Sequence, residues 1–262
     1  MQEIKYERYL KLADRNLSEA IRIRARNIYG AKIYETDNYM IYTIGVDSED
    51  GHLNGALCFN DDYSEEMLEK AEEFFKPLGF SYSVWVRDHS DKKLEEMLKS
   101  KGLEPKRLPG SAGMIIKNRI ENVELPDGFE LKEVKTDKEI EDLKTVTKNA
   151  FDKTDEVINT MFSSKSILIN ENVKSFVIYK DEEPLASAIT VSSGDVSGIY
   201  WVGTVEKARG RGLGSHIVQI STNAGFDMGG KAVILQASQV GERVYNKLGY
   251  ENITLYRSYL VK

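Results

Sequence analysis

A glycine-rich segment in the second half of the chain has the residue types that bind a pyrophosphate. Residues 209–214 read RGRGLG and lie between an apolar strand-like run and an amphipathic helical pattern. Glycines let main-chain N–H groups turn toward a ligand, and the helix that follows adds unpaired donors and the positive end of its dipole. Arg209 and Arg211 add charge. The segment therefore predicts a local pyrophosphate site.

Two common nucleotide-binding loops do not fit this segment. A Walker loop requires Gly-Lys-Ser or Gly-Lys-Thr, and the chain contains neither triplet. A dinucleotide fingerprint requires glycine at the position of Ser215 and an acidic residue about twenty positions later, where Leu235 and Gln236 stand. Both alternatives are disfavoured.

The elements around the loop are those of an α/β protein. Residues 199–205 (IYWVGTV) are apolar on both faces, as in a central strand that is covered on two sides. A helix with apolar residues at steps of three and four follows, with its apolar face at Leu213, Ile217, Ile220, Ala224 and Met228. Residues 231–237 predict a strand, residues 240–247 a helix that stops at Gly249, and the last ten or so residues a strand.

The same half opens with a strand at residues 129–134, and Thr136 with Glu139 forms a capping-box signal for a helix. Residues 173–179 and 184–192 predict a hairpin.

The first half repeats helix, strand, helix, glycine and strand, with its helix at Met67 and its glycine at Gly102. A break in periodicity at residues 121–128 separates the halves. We expect two related α/β (α+β) domains, residues 1–124 and 125–262, each a mixed, mostly antiparallel sheet flanked by helices.

Composition limits the function classes. The chain has 262 residues, of which 41% are hydrophobic, and it can therefore bury a core. Its net charge of −6 argues against general binding to nucleic acid or to an anionic membrane surface. With one cysteine, Cys58, it has no intrachain disulfide and no cysteine cluster for zinc, and we expect that thiol to be a small buried hydrophobe. It has no signal-type or membrane-spanning apolar run, so we expect a cytoplasmic monomer or homodimer without a metal.

The loop and a second segment resemble the GNAT N-acetyltransferase superfamily. The acetyl-CoA signature of that family is Arg or Gln, two residues, Gly, one residue, then Gly or Ala, and it is complete at Arg209, Gly212 and Gly214. Downstream, LQASQVGERVYNKLGYE is similar to the second motif, in which a helical tyrosine, here Tyr245, precedes a Leu-Gly-aromatic turn at residues 248–250. The resemblance covers about residues 128–262, and the first half looks like a degenerate copy, as in tandem members.

The resemblance implies an acetyl-CoA-dependent N-acetyltransferase that acts on a primary amine of a small molecule or peptide by direct transfer. It implies that the loop backbone binds the pyrophosphate and that the preceding strand flanks the pantetheine arm. The implied cofactor-binding residues are Val202, Gly203, Thr204, Val205, Arg209, Gly210, Arg211, Gly212, Leu213, Gly214 and Ser215. The sequence departs from the family at Glu206, where proline is usual, and we expect little effect on binding.

Tyr245 is the candidate proton donor to the departing thiolate, since its motif position in the family lies near the sulfur. A phenol of pKa ~10 protonates a thiolate whose conjugate acid has pKa ~8.5 only with help from its surroundings. No general base is assigned, because residues 196–205 contain no Glu, Asp or His. A water held by Tyr200, Thr204 or Ser238 is one way to accept the proton.

The three histidines and an acidic loop are expected to have structural rather than catalytic roles. We expect His216 to have a surface or packing role, His89 to be explained by capping through Ser90 or Asp91, and His52 to be exposed in a turn. An acidic loop between the first two helices of the second half is expected to be solvated rather than to meet a cationic acceptor; its residues are Asp152, Asp155 and Glu156.

The first half is expected not to bind the cofactor. Residues 60–63 (NDDY) place two carboxylates at a helix N-terminus, where they would cap the helix but repel a pyrophosphate. This half is then a scaffold that walls the acceptor cleft. Two alternatives stay open: a CoA-binding sensor or scaffold without turnover, and a transferase of a longer acyl group.

Overall fold

The computed structural model describes residues 2–121 and 124–262, with side chains from residue 6 onward. Residues 122 and 123, which belong to the predicted boundary segment, lie outside the described residues. The α-helices of the described chain are α1 (Gln2–Asn27), α2 (Ser64–Phe75), α3 (Lys92–Ser100), α4 (Asp137–Phe151), α5 (Asp155–Met161), α6 (Leu213–Asp227) and α7 (Gln239–Lys247).

The strands form one continuous sheet with the order β1-β2-β3-β4-β11-β5-β10-β9-β8-β7-β6. Their bounds are β1 (Lys32–Glu35), β2 (Tyr39–Thr43), β3 (Gly55–Cys58), β4 (Tyr82–Arg87), β5 (Ser111–Ile116), β6 (Phe129–Glu133), β7 (Val173–Lys180), β8 (Glu183–Ser193), β9 (Val196–Thr204), β10 (Ala232–Ala237) and β11 (Glu251–Val261). Two pairs are parallel, β3 with β4 and β9 with β10, and the other pairs are antiparallel. The expected mixed, mostly antiparallel sheet flanked by helices is confirmed.

The two halves of the chain run through the same order of elements. In the first half, β1, β2 and β3 are antiparallel neighbours, α2 crosses to the parallel strand β4, and α3 leads to β5. In the second half, β7, β8 and β9 are antiparallel neighbours, α6 crosses to the parallel strand β10, and α7 leads to β11. Parallel neighbours need such a crossover, which explains why the helix falls at the same place in both halves.

The last strands of the two halves are exchanged. β11 pairs with β4 of the first half, for instance Tyr256 with Arg87, and with β5. β5 in turn pairs with β10 of the second half, for instance Ile115 with Ile234. Neither terminal strand lies next to the parallel pair of its own half. The sheet is therefore continuous across the predicted domains 1–124 and 125–262.

Several predicted elements of the second half are confirmed. β7 and β8 form the hairpin, and α4 begins with a capping box in which Thr136 and Glu139 bond reciprocally to main-chain N–H groups. The α6 helix buries Leu213, Ile217 and Ala224 on one face.

The N-cap of α3 is Asp91, one of the two predicted residues, but the predicted capping bond is not formed. The Asp91 carboxylate binds the guanidinium of Arg87 at 2.6 and 2.8 Å. Asp61 accepts hydrogen bonds from the main-chain N–H groups of Lys93 and Leu94 instead. His89 does not cap either, since its ring bonds to Thr254 and Asp14.

The long N-terminal helix α1, which the sequence patterns did not predict, packs on the second half. It contacts β8 and β9 and buries Leu17 and Ile21. Its Asn16 donates to the carbonyl of Val191 at 2.9 Å and accepts from the Tyr200 hydroxyl at 2.8 Å, so a buried polar pair fixes the helix against β9.

The one thiol of the chain lies in the hydrophobic core. The Cys58 thiol is fully buried, as expected, and it packs with Met67 of α2. No helix among residues 2–121 and 124–262 is long and apolar enough to cross a membrane.

The strand exchange predicts that neither half folds alone. In a fragment of residues 125–262, β11 would lose both neighbours, and in a fragment of residues 1–124, β5 would lose both of its own. We expect each fragment to lack a cooperative thermal transition and the two co-expressed fragments to recover it, with the intact chain as control. Cooperative unfolding of the isolated 125–262 fragment by calorimetry would contradict the exchange.

Candidate active site

The glycine loop lies between the end of β9 and the first turn of α6, as the sequence predicts. Gly210 and Gly212 have φ values of 77° and 78°, in the left-handed region that only glycine enters at little cost. Gly212 is the N-cap of α6 and has no side chain with which to cap the helix, and the first turn contains no acidic residue. The main-chain N–H groups of Ser215 and His216 donate to the Gly212 carbonyl, and those of Leu213 and Gly214 are left for a ligand, which fits a pyrophosphate.

The predicted cofactor-binding residues of the loop differ in their exposure to solvent. Arg209, Gly210, Arg211 and Gly212 are exposed, and Gly214 and Ser215 are half-buried. Leu213 is fully buried in the core beneath the loop, so its side chain anchors the helix and only its backbone faces the loop.

The predicted pantetheine strand separates from its neighbour at the point where a ligand would enter. Pairing between β9 and β10 ends at Ile199 with Leu235, although β9 continues to Thr204. Beside this fork β9 carries an irregularity, since Ser187 pairs with Gly203 and Ile189 with Tyr200. Two residues of β9 thus oppose one of β8, which is a β-bulge.

Trp201 forms the bulge, with a φ of 53° that is unusual for a non-glycine residue. Its indole is held from three sides. The Phe151 ring meets it edge-on at 5.2 Å between centroids, the His52 ring at 5.9 Å, and the Arg24 guanidinium lies 5.7 Å from its centroid.

The remaining predicted residues at the end of β9 alternate between the core and the side where β9 and β10 separate. Val202 lines the cavity described next, and Thr204 lies beside the helix start, where a Cβ at Gly214 would be 3.6 Å from its hydroxyl. Val205 is buried. Gly203 is required by packing rather than by a ligand, since a Cβ there would meet the Cβ of Ala150 at 2.8 Å.

The fork opens into a cavity of about 180 Å³, which we call the fork cavity. Residues of both halves of the chain line it: Asp50, His52, Phe151, Ile199, Tyr200, Trp201, Val202, Leu235, Gln236, Ser238 and Tyr245. The amide nitrogen of Gln236 is buried there without a protein partner. The cavity therefore has an unsatisfied donor next to the separated strands.

The structure brings the predicted proton donor, Tyr245, into the fork cavity. Burial raises the pKa of its phenol to about 12, so it stays protonated at neutral pH. A Cβ at Gly241 would lie 2.9 Å from the Tyr245 ring, and this glycine of α7 leaves the space in which the ring lies. The phenol can donate a hydrogen bond in the cavity.

His52 is not exposed, contrary to the sequence-based expectation. It lines the fork cavity, and its ring meets that of Trp85 edge-on at 5.0 Å. Burial lowers the pKa of His52 to about 4, with Arg24 and Lys153 adding to the effect against Asp50, so the imidazole is neutral at pH 7. The pattern around Gly51 indicates a turn, but it does not show that the turn faces the other half.

Asp50 joins His52 at this position, and the sequence analysis did not single it out. Its carboxylate accepts from the His52 main-chain N–H at 2.9 Å and from the Lys153 ammonium at 2.8 Å. Burial would raise the pKa of Asp50, but His52 and Lys153 lower it by more, so the group is ionised.

Two buried aromatic residues fix the turn that carries Asp50 and His52. The carbonyl of Gly51 accepts from the indole N–H of Trp85 at 2.8 Å and from the Tyr42 hydroxyl. A Cβ at Gly51 would be 3.0 Å from the Trp85 ring, so this position requires glycine for a close approach.

The acidic loop of the second half lies outside the fork cavity. Asp155 pairs with Lys148 at 2.6 Å, and Asp152 is the left-handed C-cap of α4; neither they nor Glu156 line the cavity. His216 lies in the first turn of α6 with its Nδ1 buried and without a protein partner. Phe151, Lys153 and Trp201 do belong to the site, although no motif marks them.

The corresponding loop of the first half differs in charge. The expected capping of α2 by the carboxylates of Asp61 and Asp62 is wrong, because the N-cap of α2 is Tyr63, which makes no side-chain capping bond. The Asn60 side chain caps the short 3₁₀ turn at residues 61–63, and Asp61 accepts from the Ser64 hydroxyl. The first turn of α2 also carries Glu65 and Glu66. Acidic side chains therefore stand where α6 has glycine.

Comparisons with known proteins agree with this geometry. Residues 142–258 match the family model described as the acetyltransferase (GNAT) domain, a family of acyltransferases. No curated protein matches the chain.

Solved structures share the fold over most of the chain. A GCN5-related N-acetyltransferase from Kribbella flavida superposes with a TM-score of 0.70 at 19% identity and covers 94% of each chain. A GCN5-related N-acetyltransferase from Sphaerobacter thermophilus gives 0.62 at 14% identity, over 86% of this chain and 80% of that one. A tandem GNAT protein from the clavulanic acid biosynthesis pathway gives 0.61 at 9% identity, over 95% of each. At these identities the likeness concerns the fold.

The contrast between the two helix starts predicts where a CoA ligand protects the backbone. We expect acetyl-CoA to slow amide hydrogen exchange at residues 210–214, whose main-chain N–H groups lie in the loop and the first helical positions, and to leave residues 60–68 unchanged. Pantetheine, which lacks the pyrophosphate, is the control and should not protect residues 210–214. Protection at residues 60–68 would show that the first half binds the nucleotide.

Proposed function

We propose, from the GNAT acetyltransferase domain that residues 142–258 form, that this protein is an acetyl-CoA-dependent N-acetyltransferase. It would transfer the acetyl group directly to a primary amine of a small-molecule or peptide acceptor. One observation carries the proposal: the strands β9 and β10 separate into a cavity that Tyr245 lines, beside an uncapped glycine start of α6.

The donor side of the proposal rests on the loop and the fork. Acetyl-CoA, when bound, supplies an acyl thioester. The backbone of residues 210–215 would hold its pyrophosphate, with Arg209 and Arg211 free at the surface to add charge. Val202 and Thr204, on the accessible face of β9, would flank the pantetheine arm, and the bulge beside the fork leaves main-chain groups of β9 without a β10 partner.

Direct transfer is supported by the state of two candidate nucleophiles for an acyl-enzyme, Cys58 and Ser238. The one cysteine of the chain, Cys58, is fully buried in the first half, and burial raises the pKa of its thiol to about 11. Ser238 lines the fork cavity, but its hydroxyl accepts the main-chain N–H of Gly241 as the cap of α7. The amine of the acceptor is then the group that attacks the carbonyl carbon.

In the proposed reaction the N–C bond forms, the C–S bond breaks, and two protons move. The amine nitrogen loses one proton to water, because the imidazole of His52, with its pKa lowered to about 4, is a weak base; this neutral ring lines the fork cavity as a hydrogen-bonding group. The thiolate gains one from the Tyr245 hydroxyl, which recovers it from solvent. Because burial makes this phenol a weak acid, the transfer requires a thiolate that is desolvated in the same cavity.

Tyr245→Phe tests the proton donor. We expect turnover to fall about tenfold or more, because the variant keeps the ring and loses the proton, while acetyl-CoA affinity stays nearly unchanged. The measurement is free-thiol release across an amine panel, together with a binding titration. Tyr250→Phe is the matched control, since that ring lies 6.1 Å away and its hydroxyl bonds to Thr222.

Unaltered turnover of Tyr245→Phe would remove this residue from the mechanism. Tight acetyl-CoA binding by the native protein, without thiol release for any amine, would favour the alternative of a sensor or scaffold. Faster release of free thiol from a longer acyl-CoA than from acetyl-CoA would favour a transferase of a longer acyl group.

The two pKa shifts predict the pH profile. His52 is neutral above about pH 4 and Tyr245 is protonated below about pH 12, so neither titrates in the neutral range. We expect kcat to be flat between about pH 6 and 10, and kcat/KM to rise about tenfold per pH unit below the amine pKa of ~10 as the acceptor loses its proton. A kcat limb near pH 6.5 that disappears in His52→Gln would contradict the buried position of this imidazole.

A further inference from the structure

A second, larger cavity lies between the two halves and shares two lining residues with the fork cavity. It has a volume of about 450 Å³, and we call it the acceptor cavity. The first half contributes Glu49, Asp50, Gly51, His52, Trp85, Lys106, Arg107, Gly110 and Ser111, and the second half contributes Lys153, Tyr256, Arg257 and Ser258. Asp50 and His52 line both cavities, so one molecule can extend from one into the other.

The end that the cavities share is where the amine of an acceptor would lie, because it adjoins the fork cavity. The Asp50 carboxylate is ionised, and one of its oxygens binds the Lys153 ammonium while the other accepts a main-chain N–H. The neutral form of an acceptor amine can donate a hydrogen bond to the Asp50 carboxylate here, beside the neutral imidazole of His52.

The rest of the acceptor cavity attracts an anion, because its cations outnumber its carboxylates. Two of the basic residues are already paired: Arg257 binds Glu95 and Asp88, and Lys153 binds Asp50. The other two, Lys106 and Arg107, have no carboxylate within 4.0 Å among the side chains that the structure describes.

Lys106 faces the cavity with donors to spare. Its ammonium donates to the main-chain carbonyl of Glu49 at 2.7 Å, while the Glu49 carboxylate itself binds Lys262. Burial lowers the pKa of Lys106, and the nearby Lys153 and Lys262 charges act in the same direction, against Asp50 and Glu49. An anionic group at this position would relieve the repulsion among these cations.

The position for the anion, at Lys106, and the position for the amine, at Asp50, are close together. The carbonyl that Lys106 contacts belongs to the peptide bond between Glu49 and Asp50, so the anion position is next to the residue that would receive the amine. A ligand that satisfies both needs only a short spacer. The cavity volume also falls within the range of small-molecule sites, roughly 300–1,000 Å³.

We infer that the acceptor of this enzyme is a small molecule that carries an anionic group a few bonds from its primary amine. Lys106 and Arg107 bind the anion, and Asp50 receives the amine beside the fork cavity. This inference rests on the proposed function and names its substrate class. A carboxylate and a phosphate offer the same chemistry to Lys106, and the experiment separates them.

The test measures binding and turnover separately with four matched amines. β-Alanine carries a carboxylate, O-phosphoethanolamine a phosphate, propylamine no second charge, and 1,3-diaminopropane a second cation. Calorimetry with the CoA-loaded protein measures binding, and free-thiol release from acetyl-CoA measures turnover. We expect at least one of the two anionic amines to bind about tenfold or more tightly than propylamine and 1,3-diaminopropane, and their order tells carboxylate from phosphate.

Variants of Lys106 assign the site. We expect Lys106→Met to weaken binding of the preferred anionic amine about tenfold, Lys106→Arg to restore it, and Lys106→Glu to shift preference toward 1,3-diaminopropane. Lys101→Met is the matched control, because it removes an exposed lysine of the same half that lines neither cavity. Propylamine binding should be the same in native protein and Lys106→Met.

The two proposals fail in different ways. Binding of propylamine or 1,3-diaminopropane as tight as that of the anionic amines, or no effect of Lys106→Met, would overturn the anion site, even if those amines are acetylated. Lys106-dependent binding of an anionic amine without thiol release would support the anion site and overturn the proposed transferase activity.

Discussion

The main-chain pairing of β5 and β11 is the constraint on which the rest of the structure depends. Each of these strands is the last of its half, and each lies beside the parallel pair of the other half. Every interior strand of a sheet must satisfy its N–H and C=O groups on both sides, so the exchange fixes the two halves relative to each other through main-chain bonds. The polar turn of residues 50–52 and the fork of β9 and β10 thereby face one another across a fixed distance. The cavities lined by residues of both halves follow from this.

The fork itself depends on a local distortion that several elements support. A tryptophan in the left-handed region is unfavourable, and Trp201 is held there by Phe151 of α4, Arg24 of α1 and His52 of the first half. The bulge occurs where β9 leaves β10, so it exposes main-chain groups of a buried strand to a cavity instead of to a neighbour. The helix α1 and the turn at His52 thus support the geometry of the second half, although they lie far from it in the chain. This dependence gives the first half a physical role that requires no cofactor of its own.

The two halves carry different local charges at the equivalent helix starts, and the net charge of −6 does not indicate this difference. The helix start of α6 has glycines and exposed arginines, and the equivalent position before α2 has Asp61, Asp62 and other carboxylates. The same backbone plan therefore favours an anion at one position and excludes it at the other. Between the halves, basic side chains from both border the carboxylate of Asp50, and this local arrangement cannot be read from the net charge of the chain.

The sequence by itself determined the local elements and the donor side of the site. The order of strands and helices in the second half, the capping box at Thr136, the glycine loop and the position of Tyr245 all follow from short-range periodicity, propensity and motif spacing. These signals are local, because a helix face or a glycine turn is specified within a few residues. The helix α1 and the strands β1–β3 were not predicted.

Only the tertiary structure decided which strands are neighbours and which residues complete the cavities. Asp91 is the predicted N-cap residue of α3 but forms no capping bond, because a buried arginine, Arg87, binds its carboxylate. His52 was expected in solvent because a turn pattern says nothing about what the turn faces. Asp50, Lys106 and Lys153 come together from segments about fifty residues apart, and no spacing rule links them. Contacts between distant segments depend on the order of strands in the sheet. The exchange of β5 and β11 cannot be predicted from hydrophobic periodicity or motif spacing, because these describe each segment separately.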